Sequence, residues 1–173
     1  EVLPILPRMA GEPLIRPGTV QEMDDLVRLE ECLFPLDSFS RSQLRHLLTR
    51  AHATTQVVAE QGQVCGSAVV AWRRNSRVGR LFSIAVAPPR QGRGLGSQLL
   101  AACEEEARQW DCRQLRLEVR ADNARAIGLY EGRGYRVLET VPVYYPEGTD
   151  GVRMAKDLGT TLPQYRARYS LRG

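Results

Sequence analysis

The chain has 173 residues and a mass of 19.4 kDa, with 43% hydrophobic and 25% charged residues, which bounds it to one globular domain with a proper core. No apolar run approaches the roughly 20 residues of a membrane helix. The opening EVLPILPRMAGEP has no basic head and is cut by prolines, unlike a signal peptide. The net charge of +4 and pI of about 9.1 suit a polyanionic ligand, but the arginines are spread along the chain and no nucleic-acid reading motif accompanies them.

Residues 1–13 read as a proline-broken leader, followed by a short strand at Leu14 to Arg16. Thr19-Val20-Gln21-Glu22 is a capping box, and Met23, Leu26, Val27, Leu29, Glu30 and Leu33 continue at helical spacing until Phe34-Pro35 stops the helix. Ser40-Arg41-Ser42-Gln43 is a second capping box, opening a helix whose apolar face is Leu44, Leu47 and Leu48. Gln56 to Glu60 and Val64 to Arg73 are β-rich runs joined by Gln61-Gly62, a hairpin signature, and a fourth strand follows at about Arg80 to Val86. The helix from about Gly94 carries Leu95, Leu99, Cys103, Ala107 and Trp110 on one stripe, and the run Glu104 to Glu106 reads as its solvated side. Gln114 to Arg120 alternates as a fifth strand, Asp122-Asn123 opens a short helix through Tyr130, and strands are expected at Tyr135 to Val143 and Val152 to Leu158. The four scattered cysteines lack metal-ligand spacing, so reduced thiols in a cytoplasmic protein without a metal site are expected.

The stretch SIAVAPPRQGRGLG, Ser83 to Gly96, has the most chemical content. An apolar strand enters a proline break and then a loop with Gly92, Gly94 and Gly96 before a helix. Glycines let backbone N–H groups approach an anion, and the helix start adds unpaired donors and the positive end of its dipole. Neither of two familiar phosphate loops fits. Leu95, Gly96, Ser97 and Gln98 stand where a mononucleotide loop needs Lys and Ser or Thr, and the spacing is not G-x-G-x-x-G.

What remains, Gln91-Gly92-Arg93-Gly94-Leu95-Gly96, has the form Q/R-x-x-G-x-G/A and resembles the acetyl-coenzyme A pyrophosphate loop of the GNAT superfamily of N-acetyltransferases. A second block, LEVRADNARAIGLYEGRGY from Leu117 to Tyr135, is similar to the LxVxxxNxxAxxLYxxxGF block of the same family and lies at the expected distance. The resemblance covers about Leu14 to Leu158. It implies an α/β fold, an α+β mixed sheet: mostly antiparallel, with a parallel, splayed pair formed by the fourth and fifth strands, flanked by helices. The domain is then 14–158, with a tail at 159–173. Within the superfamily the likeness is strongest to bacterial ribosomal-protein alanine N-acetyltransferases, through ECLFP at Glu31 to Pro35, LEVRADN around Glu118, and Tyr144-Tyr145-Pro146. Leu36 departs from that pattern, standing where those enzymes often carry tryptophan.

The resemblance implies that acetyl-coenzyme A is held by the backbone of Gln91, Gly92, Arg93, Gly94, Leu95, Gly96 and Ser97, with Arg93 adding charge at the mouth. The main chain of Ile84 and Val86 would pair with the pantetheine arm, and the Val86 amide would polarise the thioester carbonyl. Asn123 is implied to hydrogen-bond the coenzyme, although a helix cap is an equal reading. Tyr130 is the implied proton donor to the departing thiolate; without the motif it reads as a core tyrosine. Glu118 is the implied general base, set against a salt bridge to Arg116 or Arg120 on the same strand face. Phe34, Tyr144 and Tyr145 would line a peptide groove.

The expected activity is direct acetyl transfer from acetyl-coenzyme A to an amine, preferentially the N-terminal α-amine of a protein or peptide. The alternatives are a small-molecule amine acetyltransferase (polyamine, amino acid or antibiotic) and a non-catalytic acyl-coenzyme A sensor. A monomer or homodimer with no nucleic-acid or membrane partner is expected.

Overall fold

The computed structural model describes residues 13–50 and 52–159. The expected leader and tail therefore lie outside the described residues except at Pro13 and Gly159. Seven strands and four α-helices follow in the order β1 (Leu14–Pro17), α1 (Met23–Leu33), α2 (Arg41–Thr49), β2 (Ala53–Glu60), β3 (Gln63–Trp72), β4 (Val78–Val86), α3 (Leu95–Gln109), β5 (Gln114–Arg120), α4 (Ala124–Gly132), β6 (Arg136–Val141) and β7 (Gly151–Asp157). They form one sheet in the order β1-β2-β3-β4-β5-β7-β6. Every neighbouring pair is antiparallel except β4 with β5. Among the described residues no helix is long and apolar enough to cross a membrane.

Local chemistry accounts for the element boundaries. Both capping boxes form: Thr19 and Glu22 cap a single 3-10 turn that runs into α1, and Ser40 and Gln43 cap α2. The β2–β3 turn places Gln61 at φ 51° and Gly62 at φ 77°, the two positive values that a two-residue hairpin needs to match the strand twist. α1 and α2 bury Met23, Leu26 and Leu44 against Val57 and Val64 on one sheet face. On the other face α3 buries Leu95, Leu99, Leu100, Cys103 and Ala107 within the larger core.

The acidic run of α3 is not the solvated side that its composition suggests. Glu104 is only 1% exposed. It accepts hydrogen bonds from Arg133 (3.2 Å), the Tyr135 hydroxyl (3.2 Å) and Lys156 (3.0 Å). Glu106 accepts from Thr54 and from the Trp110 indole, so Glu105 alone keeps a half-exposed side chain. Glu104 follows Leu100 by four residues and precedes Ala107 by three, and so shares their buried face. Its cationic partners come 29 and 52 residues later. Burial and the Glu104 charge push the Tyr135 phenol well above its ordinary pKa, which keeps it a donor.

This cluster ties the middle of α3 to the end of α4 and to β7. Replacing Glu104 with alanine strands Lys156 and Arg133, which are 20% and 32% exposed and reach some water. Urea unfolding of Glu104→Ala should therefore show a loss of about 3 kcal/mol, the lower end for breaking a buried ion pair. A loss under about 1 kcal/mol would mean that the cluster is not structural.

Candidate active site

The site is built where β4 and β5 stop being neighbours. β5 accompanies β4 only at Val78, Gly79 and Arg80, opposite Gln114, Leu115 and Arg116. Immediately beyond, Val70 of β3 pairs with Leu81 and Val69 with Ser83, leaving Phe82 as an extra residue. A bulge of this kind bends the strand, and β4 leaves β5 there. The Ala87 N–H donates to the Cys65 carbonyl of β3 at 2.8 Å. Strand alternation then turns the N–H and C=O groups of Val86 and Ile84 away from β3, into the gap on the β5 side. These are strand-edge groups in the interior of a sheet, and among the described residues only the Val86 carbonyl has a partner, the Gln91 side chain.

The loop that follows closes one end of the gap. Gln91 donates from Nε2 to the Val86 carbonyl at 2.9 Å and accepts at Oε1 from Arg125 at the start of α4, so one side chain fastens the loop to both walls. Gly92 and Gly94 sit at φ 79° and 78°, values open to glycine at no steric cost. Gly94 is the N-cap of α3 and offers no side-chain cap, so the first-turn N–H groups remain available to an anion. The resulting cavity, about 370 Å3, runs from Gln91, Gly92, Gly94, Leu95, Gly96 and Ser97 to Ile84 and Val86. Arg90 and Arg125 stand on its lining. A long ligand with an anionic end and an amide-bearing arm fits this combination of uncapped helix start, bare glycines and open strand edge, which are the groups that coenzyme A requires.

A second cavity of about 370 Å3 lies on the α1 side and shares Leu33, Phe34, Ile84, Asn123, Ala126 and Tyr130 with the first. Its remaining walls include Phe39, Phe82, Glu118 and Tyr145. Two chambers therefore meet at Tyr130, Asn123 and Ile84. Tyr130 is 7% exposed, stacks edge-on against Tyr135, and its hydroxyl has no hydrogen-bond partner among the described residues. Burial first, then the neighbouring Cys103 and Tyr145, raise its pKa well above the ordinary phenol value, so it remains protonated. Asn123 accepts the Ala126 N–H at 3.1 Å through Oδ1 and so caps α4, while its amide NH2 has no partner among the described residues. Both readings of Asn123 are thus compatible with one geometry.

Glu118 points to the side that strand parity predicts, but its partners differ from the expected ones. Arg80 bonds it at 2.9 Å from β4, and Arg153, its registered neighbour on β7, lies at 3.6 Å. Cross-strand neighbours are closer than Arg116 and Arg120, two residues away on the same strand. Two other expectations fail. Arg93 does not line the cavity; it pairs with Glu60 at 3.1 Å, as Arg90 does at 2.8 Å, and this holds the glycine loop to the end of β2. Tyr144 lines neither cavity: its ring covers Gly151 and meets Tyr145 edge-on at 5.0 Å, so it supports Tyr145 and the groove from behind. Arg120 stacks on the other side of Tyr145 at 5.0 Å.

Several lining residues carried no role in the sequence reading. Arg125 follows Asn123 by two positions, within the first turn of a helix whose start was legible, and that placement was its only signal. Phe39 supplies an aromatic wall near the position where Leu36 departs from the family pattern; Leu36 itself is 72% exposed. Glu30 is 2% exposed, faces the second cavity, and accepts from Ser83 Oγ (3.0 Å) and the Phe39 N–H (3.3 Å), which ties α1 to β4 and to the α2 approach. Burial raises its pKa despite those two hydrogen bonds. No short motif announces a carboxylate whose partners lie 9 and 53 residues away.

The model of the acetyltransferase (GNAT) family matches residues 22–135. The ribosomal protein bS18 alanine N-acetyltransferase of Escherichia coli K12 is 46% identical over 71 residues, which is 41% of this chain and 47% of that protein, so the match spans about half the length of this relative. The N-alpha-acetyltransferase of Sulfolobus acidocaldarius is 27% identical over 156 residues, covering 83% of this chain and 92% of the other. The crystal structure of the E. coli ribosomal-protein-S18-alanine N-acetyltransferase superposes with a TM-score of 0.78 at 25% identity, covering 88% and 97% of the two chains.

Gly94 and Gly96 separate backbone strain from ligand access. A Cβ at Gly96 meets only Leu129 at 3.4 Å and Val86 at 4.0 Å, ordinary contacts, but it projects into the first cavity. Gly96→Ala should keep wild-type stability or gain slightly, since alanine favours a helix, while coenzyme A binding measured by calorimetry weakens about tenfold. Gly94→Ala should instead lose about 1–2 kcal/mol of stability, because its positive φ strains any side chain. Equal effects at the two positions would contradict this division.

Proposed function

The chain belongs to the acetyltransferase (GNAT) family, and from that premise we propose that it transfers acetyl from acetyl-coenzyme A directly to the N-terminal α-amine of a protein or peptide. The observation that carries the reading is the junction of two chambers at Tyr130, one ending in an uncapped, glycine-lined helix start and the other in an aromatic groove with a carboxylate. When bound, acetyl-coenzyme A supplies an activated acetyl thioester. The chain's own groups do the rest.

In the first chamber the backbone of Gln91 to Ser97 binds anionic oxygens, and Arg90 and Arg125 add charge. Ile84 and Val86 present strand-edge groups to amides, and the Val86 N–H is a fixed donor for an oxyanion. In the second, Phe34, Phe39 and Tyr145 form apolar walls. Glu118, held by Arg80 and Arg153, accepts the proton of the acceptor ammonium through a water. Tyr130 donates its hydroxyl hydrogen to the departing sulfur, and burial keeps that hydrogen in place.

The amine class follows from acidity and from how the groove balances its charge. An α-amine loses its proton near pH 8, at about 7.7–8.0, against about 10.4 for lysine, so a carboxylate acting through water is sufficient for the first. Asp37 pairs with Arg120 at 3.4 Å and Glu118 has its two arginines, so of the groove carboxylates only Glu30, held by Ser83 and the Phe39 N–H and raised in pKa by burial, lacks an ion-pair partner among the described residues. That balance favours a peptide over a polycationic small molecule. The names of the relatives from E. coli and Sulfolobus acidocaldarius, both acetyltransferases of protein or α-amino groups, support the same choice.

Turnover followed as free-thiol release tests the roles. Tyr130→Phe should lower kcat about 100-fold on a free N-terminal peptide, the scale of a lost general acid, with coenzyme binding retained. Wild-type kcat/KM should rise with pH as the acceptor amine deprotonates, reach half its maximum at about pH 8 and level off above about pH 9. A peptide whose α-amine is blocked but which carries lysine should turn over at least 100-fold more slowly. Equal rates on the two peptides would replace the α-amine reading with a lysine one.

A further inference from the structure

The sheet face next to the groove breaks a local rule of β-structure. Arg80 of β4 is registered with Arg116 of β5, Arg116 with Ala155 of β7, and Ala155 with Arg136 of β6. Registered residues share a face, so three arginines form one row across four strands, with neighbouring strands about 4.8 Å apart. Like charges placed directly opposite destabilise a sheet. Carboxylates in the adjoining rows relieve the ends: Glu118 takes Arg80 at 2.9 Å, and Asp157 takes Arg136 at 3.5 Å. Among the described residues Arg116 has only the neutral Gln114 oxygen, at 2.6 Å.

The excess continues to the edge of the sheet. Arg113 donates its backbone N–H to the Arg77 carbonyl at 2.7 Å, which sets these two exposed residues side by side at the end of the β4–β5 pair, one position before Val78 and Gln114. Neither they nor Arg74 in the β3–β4 turn makes an ion pair among the described residues. The upper end of this track is the groove itself: Arg80 bonds Glu118 and lies over the Phe82 ring at 4.8 Å, and both Glu118 and Phe82 line the second cavity.

Accepting the peptide α-amine reading above, we infer that the strip Arg116, Arg113, Arg77 and Arg74 binds an acidic segment of the acceptor polypeptide downstream of its N-terminus. A chain leaving the groove in extended form advances about 3.3 Å per residue. It therefore passes Arg116 about two residues beyond Glu118 and reaches the strand end at Arg113 and Arg77 about five residues beyond it. With the first residues inside the groove, the contacted side chains are about four to eight residues from the amine. An acidic polypeptide is favoured over an RNA because the strip is continuous with the groove that takes a peptide end.

The test uses the full chain, coenzyme A and three fluorescent decapeptides that share their first four residues and carry Asp/Glu, Ser/Ala or Lys at positions five to eight. A tetrapeptide that ends before the strip serves as the basal substrate. The measurements are anisotropy for binding and free-thiol release for turnover, with wild type and the triple variant Arg77→Ser/Arg113→Ser/Arg116→Ser. The acidic decapeptide should bind about tenfold more tightly than the neutral one at low salt and lose that advantage toward about 0.5 M salt. Its gain should appear in KM and vanish in the triple variant, which acetylates the tetrapeptide at the wild-type kcat. Equal binding of the acidic and neutral peptides, or a preference that survives in the triple variant, overturns the inference. So does tight, arginine-dependent binding of a single-stranded RNA oligonucleotide without any peptide charge preference. Absent turnover of the tetrapeptide would instead count against the acetyl-transfer reading, since anisotropy reports on the strip regardless.

Discussion

A strand edge held open inside a sheet is the constraint on which the rest of this molecule depends. Backbone N–H and C=O groups in a sheet interior are normally paired, and leaving a row of them without partners is costly unless something else satisfies them. Here the vacancy is built from several directions. The Phe82 bulge bends β4 away from β5, β3 holds the other edge of β4 in register, and Gln91 pins the loop at its end to the Val86 carbonyl and to Arg125. The helix start beyond the loop supplies anion-binding donors in line with the gap. Strand edge and helix start together make a linear site for a ligand with an amide-bearing arm and a phosphate end.

The same opening determines where chemistry is placed. Because β5 diverges, Glu118 and Val119 line the groove, with Glu118 still bonded to Arg80 where the two strands part, and α4, which follows β5 directly, carries Asn123 and Tyr130 into the gap. The position of α4 is in turn secured from behind. Glu104, buried in the middle of α3, holds Arg133 just beyond the end of α4, Tyr135, and Lys156 of β7. Tyr135 stacks edge-on against Tyr130 at 5.7 Å. A buried ion cluster that lines neither of the two cavities thus fixes the orientation of the tyrosine at the junction. On the acceptor side, arginines neutralise Glu118 and Asp37, which leaves a groove with apolar walls in which Glu30, hydrogen-bonded to Ser83 and Phe39, is the one carboxylate without an ion pair among the described residues.

The elements were legible in the sequence wherever their signals were local. Two capping boxes, the Gln61-Gly62 turn, the proline after Phe34 and the alternation of β5 each involve residues within a few positions of one another, and each corresponds to an observed boundary. The glycine loop and the Asn123–Tyr130 block are local as well, and the structure brings Ile84, Val86, Gln91 to Ser97 without Arg93, Asn123 and Tyr130 to one cavity. Partnerships across the sheet were not legible. The acidic run at Glu104 looked solvated because its cations lie far along the chain, and Glu118 was matched to same-strand arginines because register with β7 cannot be read from β5 alone. Arg93 and Tyr144 were placed at the site by the family resemblance; the side chains turn to Glu60 and to Gly151. Glu30 was hidden for a related reason, since helical periodicity marks a buried position without naming what meets it.

The most direct test of the open edge is amide hydrogen exchange at single-residue resolution, with and without coenzyme A. If the ligand completes the strand, the Ile84 and Val86 amides slow at least about tenfold on binding, while the Ala87 amide, already bonded to Cys65, is unchanged. If coenzyme A binds by calorimetry and the Ile84 and Val86 amides exchange as before, the gap between β4 and β5 is not where the ligand lies, and the account of the site built on it is wrong.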